Sequence, residues 1–248
     1  MASETKQRQI DTLMEQASEA LMLTKYFEAE RLAVKALYMA RQVGDFERMA
    51  RIVMPLQEAR RQRFQQAIDV GKPRIQREPV TEEMKVEPGI VVVQPPMVGS
   101  DARRLRLLAL TREIPLVVLC REPLTQLKLS PIVALSPGAT IRVRLKPAKG
   151  HDMTIAPPVD WIVNALCELG DTAVEAIDPT LPIVRRIDAI LDRLDCLPEH
   201  ENLHIALMQA CEKAHQEHAA VTDDADGEDL EADLENLEGE LETGGREL

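Results

Sequence analysis

The spacing of apolar residues changes along the chain, and this change constrains the fold more than any other feature. Up to about residue 70 the apolar residues recur at helical spacing, beginning with Ile10, Leu13, Met14, Ala17 and Leu21. Between residues 89 and 146 they occur in short runs typical of strands, such as I-V-V-V at 90–93. Helical spacing returns from about residue 158. The sequence therefore predicts an α+β fold with an N-terminal helical unit, a small mixed sheet and C-terminal helices.

Four segments follow from this pattern. The helical unit covers residues 1–70. Residues 71–88 contain three prolines and alternating charges, which predicts an irregular linker. A mixed α/β domain covers residues 89–218, and residues 219–248 form an acidic tail that we expect to be disordered.

The helical unit is predicted to contain three helices, at about 9–23, 27–41 and 46–68. Gly44 is expected to end the second helix, and Asp45 can cap the third. Pro55 lies inside the third helix and should kink it, because proline removes one helical hydrogen bond.

The sheet is predicted to begin with a βαβ unit. A strand at 90–93 is followed by a helix that Asp101 can cap and then by a strand at 115–120, an order that suits parallel pairing. Further strands are expected at 131–135 and 140–146. The first C-terminal helix is predicted over 159–169, and we expect it to end at Gly170.

The stretch K-Y-F-E-A-E-R-L-A-V-K-A-L, residues 25–37, resembles the turn and second helix of a tetratricopeptide repeat. The positions that match are Ala17, Ala29 and Ala36 for the small residues, Tyr26 for the aromatic, and Phe46, Met49, Ala50 and Val53 for a following repeat. The resemblance covers about one and a half repeats, residues 10–57. It implies a surface for docking or self-association around Tyr26, Ala29, Ala36 and Phe46; a plain three-helix unit is the alternative.

The pentapeptide H-E-N-L-H, residues 200–204, fits the pattern H-E-x-x-H. On a helix this spacing places His200 and His204 on one face, suited to zinc, with Glu201 as a general base. A helical wheel places a stripe of side chains between the apolar and the polar faces: His200, His204, Cys211, His215 and His218. This clustering indicates a metal site.

Other features argue against a zinc peptidase. Ala210 stands where one peptidase pattern requires a third histidine. Pro198 places the pair in the first turn of its helix, where the helix dipole disfavours a cation. We therefore predict no cofactor, and keep as the alternative a zinc-dependent metalloprotein using His200, Glu201 and His204, with Cys211 as a further candidate ligand.

The net charge of −12 comes from the end of the chain, since residues 217–248 contain 13 acidic residues and one basic residue. Within this segment Leu230, Leu234, Leu237 and Leu241 recur at helical spacing. This pattern is typical of a segment that folds on a protein partner. The alternatives are a solubilising tail, or a cover over the basic strand face of Arg142, Arg144 and Lys146.

Several classes of function are disfavoured. Aromatic residues make up only 2% of the chain, which disfavours nucleic-acid binding. The turn at 94–101 has a single glycine and does not suit a nucleotide phosphate. No apolar run is long enough for a signal segment or a membrane span. Four widely spaced cysteines are typical of reduced thiols in a cytoplasmic protein. We therefore predict a non-catalytic protein-interaction or adaptor module rather than an enzyme.

Overall fold

A computed structural model describes residues 2–150 and 153–220 and confirms the mixed fold. Six helices are α1 (Ala2–Met22), α2 (Tyr26–Val43), α3 (Phe46–Ile68), α4 (Gly99–Thr111), α5 (Val159–Glu175) and α6 (Ile183–Cys196). A further helix, α7, occupies 201–220. The strands are β1 (Arg74–Gln76), β2 (Gly89–Val93), β3 (Leu116–Arg121), β4 (Ser130–Leu135) and β5 (Thr140–Leu145).

The five strands form one mixed sheet in the order β1-β2-β3-β4-β5. The strands β1, β2 and β3 run parallel, and β2 pairs with β3 in a register that places Ile90 opposite Val117. The remaining pairs, β3 with β4 and β4 with β5, are antiparallel. The predicted βαβ unit is therefore confirmed, with α4 as its crossover helix.

Successive side chains along β2 enter two different cores, because a strand presents alternate residues to opposite faces of its sheet. Ile90 and Val92 pack in a large cluster with apolar residues of α1, α2, α3, α5, α6 and α7. Val91 and Val93 pack in a smaller cluster with α4 and with Val80. The helical unit and the C-terminal helices thus share one core on one face of the sheet.

The junction of α2 and α3 follows its local signals closely, whereas α1 begins at Ala2, seven residues before its predicted start. The predicted bounds of α3 are confirmed, and the Asp45 carboxylate accepts a hydrogen bond of 3.0 Å from the Arg48 backbone N–H at its start. Gly44 ends α2 with φ of +70°, a conformation that glycine adopts without strain. Helix α3 continues through Pro55.

The segment at 71–88 is not wholly irregular, as β1 lies within it and pairs with β2. This strand has only three residues and no apolar run, so its sequence carries little signal. Because α3 also packs against the sheet core, the boundary at residue 70 does not separate two hydrophobic cores.

The prediction that α5 ends at Gly170 is wrong, because α5 runs on to Glu175. A Cβ atom at position 170 would collide with the His200 ring. The glycine therefore allows a close contact between α5 and the start of α7 instead of ending a helix.

Candidate functional site

Three charged side chains form a buried network between α2 and α3. The Glu30 carboxylate accepts a hydrogen bond of 2.9 Å from Arg60 Nε and another from Arg63 Nη1. The Glu30 side chain is only 6% exposed, and those of both arginines are nearly as buried. The Arg63 guanidinium also lies over the Phe27 ring at 4.5 Å, a favourable cation–π contact.

The local sequence explains how this network forms. Glu30 lies three residues before Ala33 and seven before Leu37, so it shares the buried face of α2 with them. Arg60 and Arg63 are one turn apart on α3, so both can reach one carboxylate. Burial lowers the pKa of Arg60 to about 10, which leaves it charged at neutral pH.

His204 is connected to the network as a neutral ring. Its Nδ1 lies 2.8 Å from the His200 carbonyl oxygen, and its Nε2 lies 3.3 Å from Arg60 Nη1. A carbonyl only accepts and a guanidinium only donates, so Nδ1 carries the proton and Nε2 accepts. Burial and the Arg60 charge lower the pKa of His204 from 6.5 to about 3.

This arrangement bears directly on the H-E-x-x-H hypothesis. Both ring nitrogens of His204 are engaged, while Glu201 is exposed and Cys211 is fully buried. Burial raises the pKa of the Cys211 thiol to about 12, which keeps it protonated. Within residues 2–150 and 153–220, no three His, Cys, Asp or Glu side chains are arranged to hold a metal ion. The predicted stripe also diverges, because His215 and His218 are exposed.

His200 lines a cavity of about 390 Å³ between α3, α5 and the start of α7. Its Nε2 lies 3.4 Å from Asp171 Oδ1, and burial lowers the pKa of the ring despite this carboxylate. Cys167 lines the same cavity and is exposed. Partial desolvation of the thiol and the nearby Asp171 raise the pKa of Cys167, so the arrangement disfavours a thiolate nucleophile.

Protein purified without a histidine tag should contain well below one equivalent of zinc, because binding through His204 would displace its contact with Arg60. Elemental analysis by mass spectrometry checks this, with His204→Ala as the matched variant. One equivalent of zinc in the native chain that is lost in His204→Ala would contradict the prediction and support the metalloprotein hypothesis.

A cleft of about 470 Å³ opens above the buried network, and we call it the α2–α4 cleft. Helices α2, α3, α4 and α6 supply its apolar walls, which are Phe27, Val34, Leu37, Tyr38, Leu56, Leu107, Leu110, Leu191 and Leu194. Tyr38 is 53% exposed, and Leu107 and Leu110 are half-buried. The ion pair between Arg31 and Glu113, at 3.2 Å, connects α2 to the end of α4 beside the cleft.

Arginines on α4 and directly after it line this cleft and a neighbouring groove. Arg103 donates to Asp195 of α6 at 3.0 Å, which fixes α4 against α6. Arg104 donates to the Val80 carbonyl oxygen at 3.3 Å, and Arg112 to that of Met84 at 2.6 Å. The groove holds about 830 Å³ and shares Leu107 and Thr111 with the cleft, so α4 is flanked by one continuous surface.

The residues expected to bind a protein partner do not lie together on one exposed surface of the described chain. Ala29, Ala36 and Phe46 are buried within the helical unit and pack its helices together. Tyr26 is half-buried. The predicted docking leucines Leu230, Leu234, Leu237 and Leu241 lie outside the described residues.

Among the described helices, none has the length and apolar character needed to cross a membrane.

The turn at 94–101 leads into α4 and has a carboxylate in the first turn of that helix. Helix α4 begins at Gly99, two residues before Asp101, and the Asp101 carboxylate accepts a hydrogen bond of 3.0 Å from the Val98 backbone N–H. A carboxylate at this helix start repels the negative charge of a phosphate. The observation agrees with the expectation that this turn does not suit a nucleotide.

Comparison with known proteins yields no match to a protein-family model, a curated protein or a solved structure.

Proposed function

We propose that this protein is a non-catalytic protein-interaction module and that the α2–α4 cleft is its binding surface. The observation that carries the proposal is the cleft itself, which is mainly apolar and opens to solvent beside exposed Tyr38. The mouth is formed by helices, a geometry that suits the apolar face of a partner helix.

The buried network supports this proposal by fixing the cleft floor. Arg60 and Glu30 line the cleft and hydrogen-bond to each other beneath it, so α2 and α3 are held at a defined separation. A fixed wall reduces the entropy lost on binding, which favours affinity. A cytoplasmic location is part of the proposal, since all four cysteines are free thiols.

Replacing Tyr38 by glutamate should reduce recovery of bound proteins by about tenfold or more, because a charge would enter an apolar binding surface. The substitution should leave the fold intact, since the side chain is more than half exposed. Quantitative mass spectrometry of proteins captured by each variant measures the effect. Leu110→Glu tests the facing wall in the same way.

Leu127→Glu is the matched control, because Leu127 is an apolar residue that is 82% exposed and does not line the cleft. The thermal midpoints of all variants must agree with that of the native chain. Equal recovery of the same proteins by Tyr38→Glu, Leu110→Glu and the control would refute the cleft as the binding surface.

A further inference from the structure

We infer that the acidic, leucine-spaced segment of this chain, residues 228–242, docks along α4 and occupies the α2–α4 cleft. The inference rests on the proposed function, because it names an occupant of the same site. The consequence is regulation: a protein partner must displace the chain's own segment before it can bind.

The apolar surface around α4 fits the leucine spacing. Leu107 and Leu110 face the cleft, and the adjoining groove adds Leu108 and Leu135. On a helix, the four leucines from position 230 to 241 would form one stripe spanning roughly 16 Å. Helix α4 has 13 residues and therefore spans roughly 20 Å. The two lengths agree, so the stripe can follow α4 for most of its length.

The charges around α4 are also complementary to the segment. Residues 228–242 contain eight acidic residues and no basic residue. The hydrogen bonds that Arg104 and Arg112 make within the described chain go to main-chain carbonyl oxygens, which do not neutralise a cation. On α3, by contrast, Arg48 and Arg61 each donate to carboxylates. Arg104 and Arg112 therefore gain more from added carboxylates than Arg103 and Arg106 on α4, which already pair with Asp195.

The rival site on β5 fits less well. Arg142 already donates to the Glu122 carboxylate at 3.0 and 2.8 Å. The outward side chains of Arg142 and Arg144 on the strand, and that of Lys146 directly after it, are all charged and exposed. A stripe of leucines would gain little from such a face, whereas α4 offers leucines and arginines together.

The connecting chain is long enough to reach. Pro198 lines the cleft and lies just before α7. The 20 residues of α7, 201–220, span roughly 30 Å. The nine residues 221–229 cover roughly 30 Å when extended. Leu230 can therefore return to the cleft even if α7 points directly away from it.

The test places a photo-reactive benzoylphenylalanine at position 234 of the full-length chain and identifies cross-linked peptides by mass spectrometry. The matched control carries the same group at Ala232, which lies on the opposite side of the helix that the leucines would form. Chains with light and heavy isotopes are mixed, so that links within one chain are distinguished from links between chains. We expect cross-links from position 234 to residues 99–112 of the same chain. The yield of these cross-links should be severalfold lower when the group is at position 232.

A second measurement uses a labelled synthetic peptide of residues 226–243. A full-length chain with serine at positions 230, 234, 237 and 241 should bind this peptide at least about tenfold more tightly than the native chain, because a tethered segment competes at a high effective concentration. The inference is overturned if the two chains bind the peptide with equal affinity. It is also overturned if position 234 links mainly to β5, links mainly to another chain, or gives no specific link.

The two proposals can fail separately. If Tyr38→Glu loses its bound proteins while position 234 links elsewhere, the cleft binds a partner but not the chain's own segment. If position 234 links to α4 while Tyr38→Glu recovers the same proteins as the native chain, the segment docks but the cleft is not the partner site.

Discussion

Replacing Glu30 by alanine should destabilise the folded chain by about 3–5 kcal/mol, because it leaves two buried guanidinium groups without their carboxylate. Arg60 and Arg63 both donate to Glu30, and both are nearly inaccessible to water. Arginine does not release its proton at neutral pH, so in the variant both charges stay buried without a counter-charge. Urea denaturation at pH 7, followed by fluorescence of the single tryptophan, measures the loss.

Glu28→Ala is the matched control on the same helix. The Glu28 carboxylate is 3.6 Å from Lys25 Nζ, but this pair is exposed, so its loss should cost less than about 1 kcal/mol. If the two variants lose similar stability, the network does not hold α2 against α3. Replacing Glu30, Arg60 and Arg63 together by leucine or methionine should recover much of the loss, because an apolar set removes the uncompensated charge.

Local sequence signals predicted the parts of the fold that depend on neighbouring residues. The bounds of α3 and the cap at Asp45 follow from a few residues around each helix end. The strand β2 follows from a run of β-branched residues. Signals of this kind do not require knowledge of which elements pack together.

Other features of the fold depend on contacts between residues that are far apart in the sequence. Gly170 has the local signature of a helix end, but it serves the contact with His200, 30 residues away. Strand β1 exists through its pairing with β2, and its three residues show no apolar pattern. A short element of this kind cannot be recognised without its partner.

The buried network of Glu30, Arg60 and Arg63 could be predicted only in part from the sequence. Glu30 is a charged residue on the apolar stripe of α2, which a helical wheel of that helix could have revealed. Its partners Arg60 and Arg63 could not be assigned, since they depend on how α2 packs against α3. Likewise, the pattern H-E-x-x-H gave no indication that Arg60, 144 residues earlier, donates to His204.

Lowering the pH from 7 to 5 should reduce the free energy of unfolding by about 2 kcal/mol, mainly through His204. The pKa of His204 is lowered from 6.5 to about 3 by burial and by the Arg60 charge. Between these values the unfolded chain binds a proton that the folded chain excludes. The contribution of His204 is therefore fully present above pH 6.5 and is lost progressively as the pH falls towards 3. Burial also lowers the pKa of His200, which adds an effect of the same sign.

Urea denaturation at half-unit pH intervals tests this expectation, and the range above pH 5 avoids most of the titration of carboxylates. His204→Gln should flatten the pH dependence of the free energy of unfolding, because glutamine can accept a hydrogen bond from Arg60 but does not titrate. The same substitution should lower the free energy of unfolding at pH 7. His215→Gln is the control, since His215 is exposed on the same helix, and it should keep the full slope. If His204→Gln retains the native slope, the proton is bound elsewhere and the neutral His204 contact with Arg60 does not control the acid sensitivity of the fold.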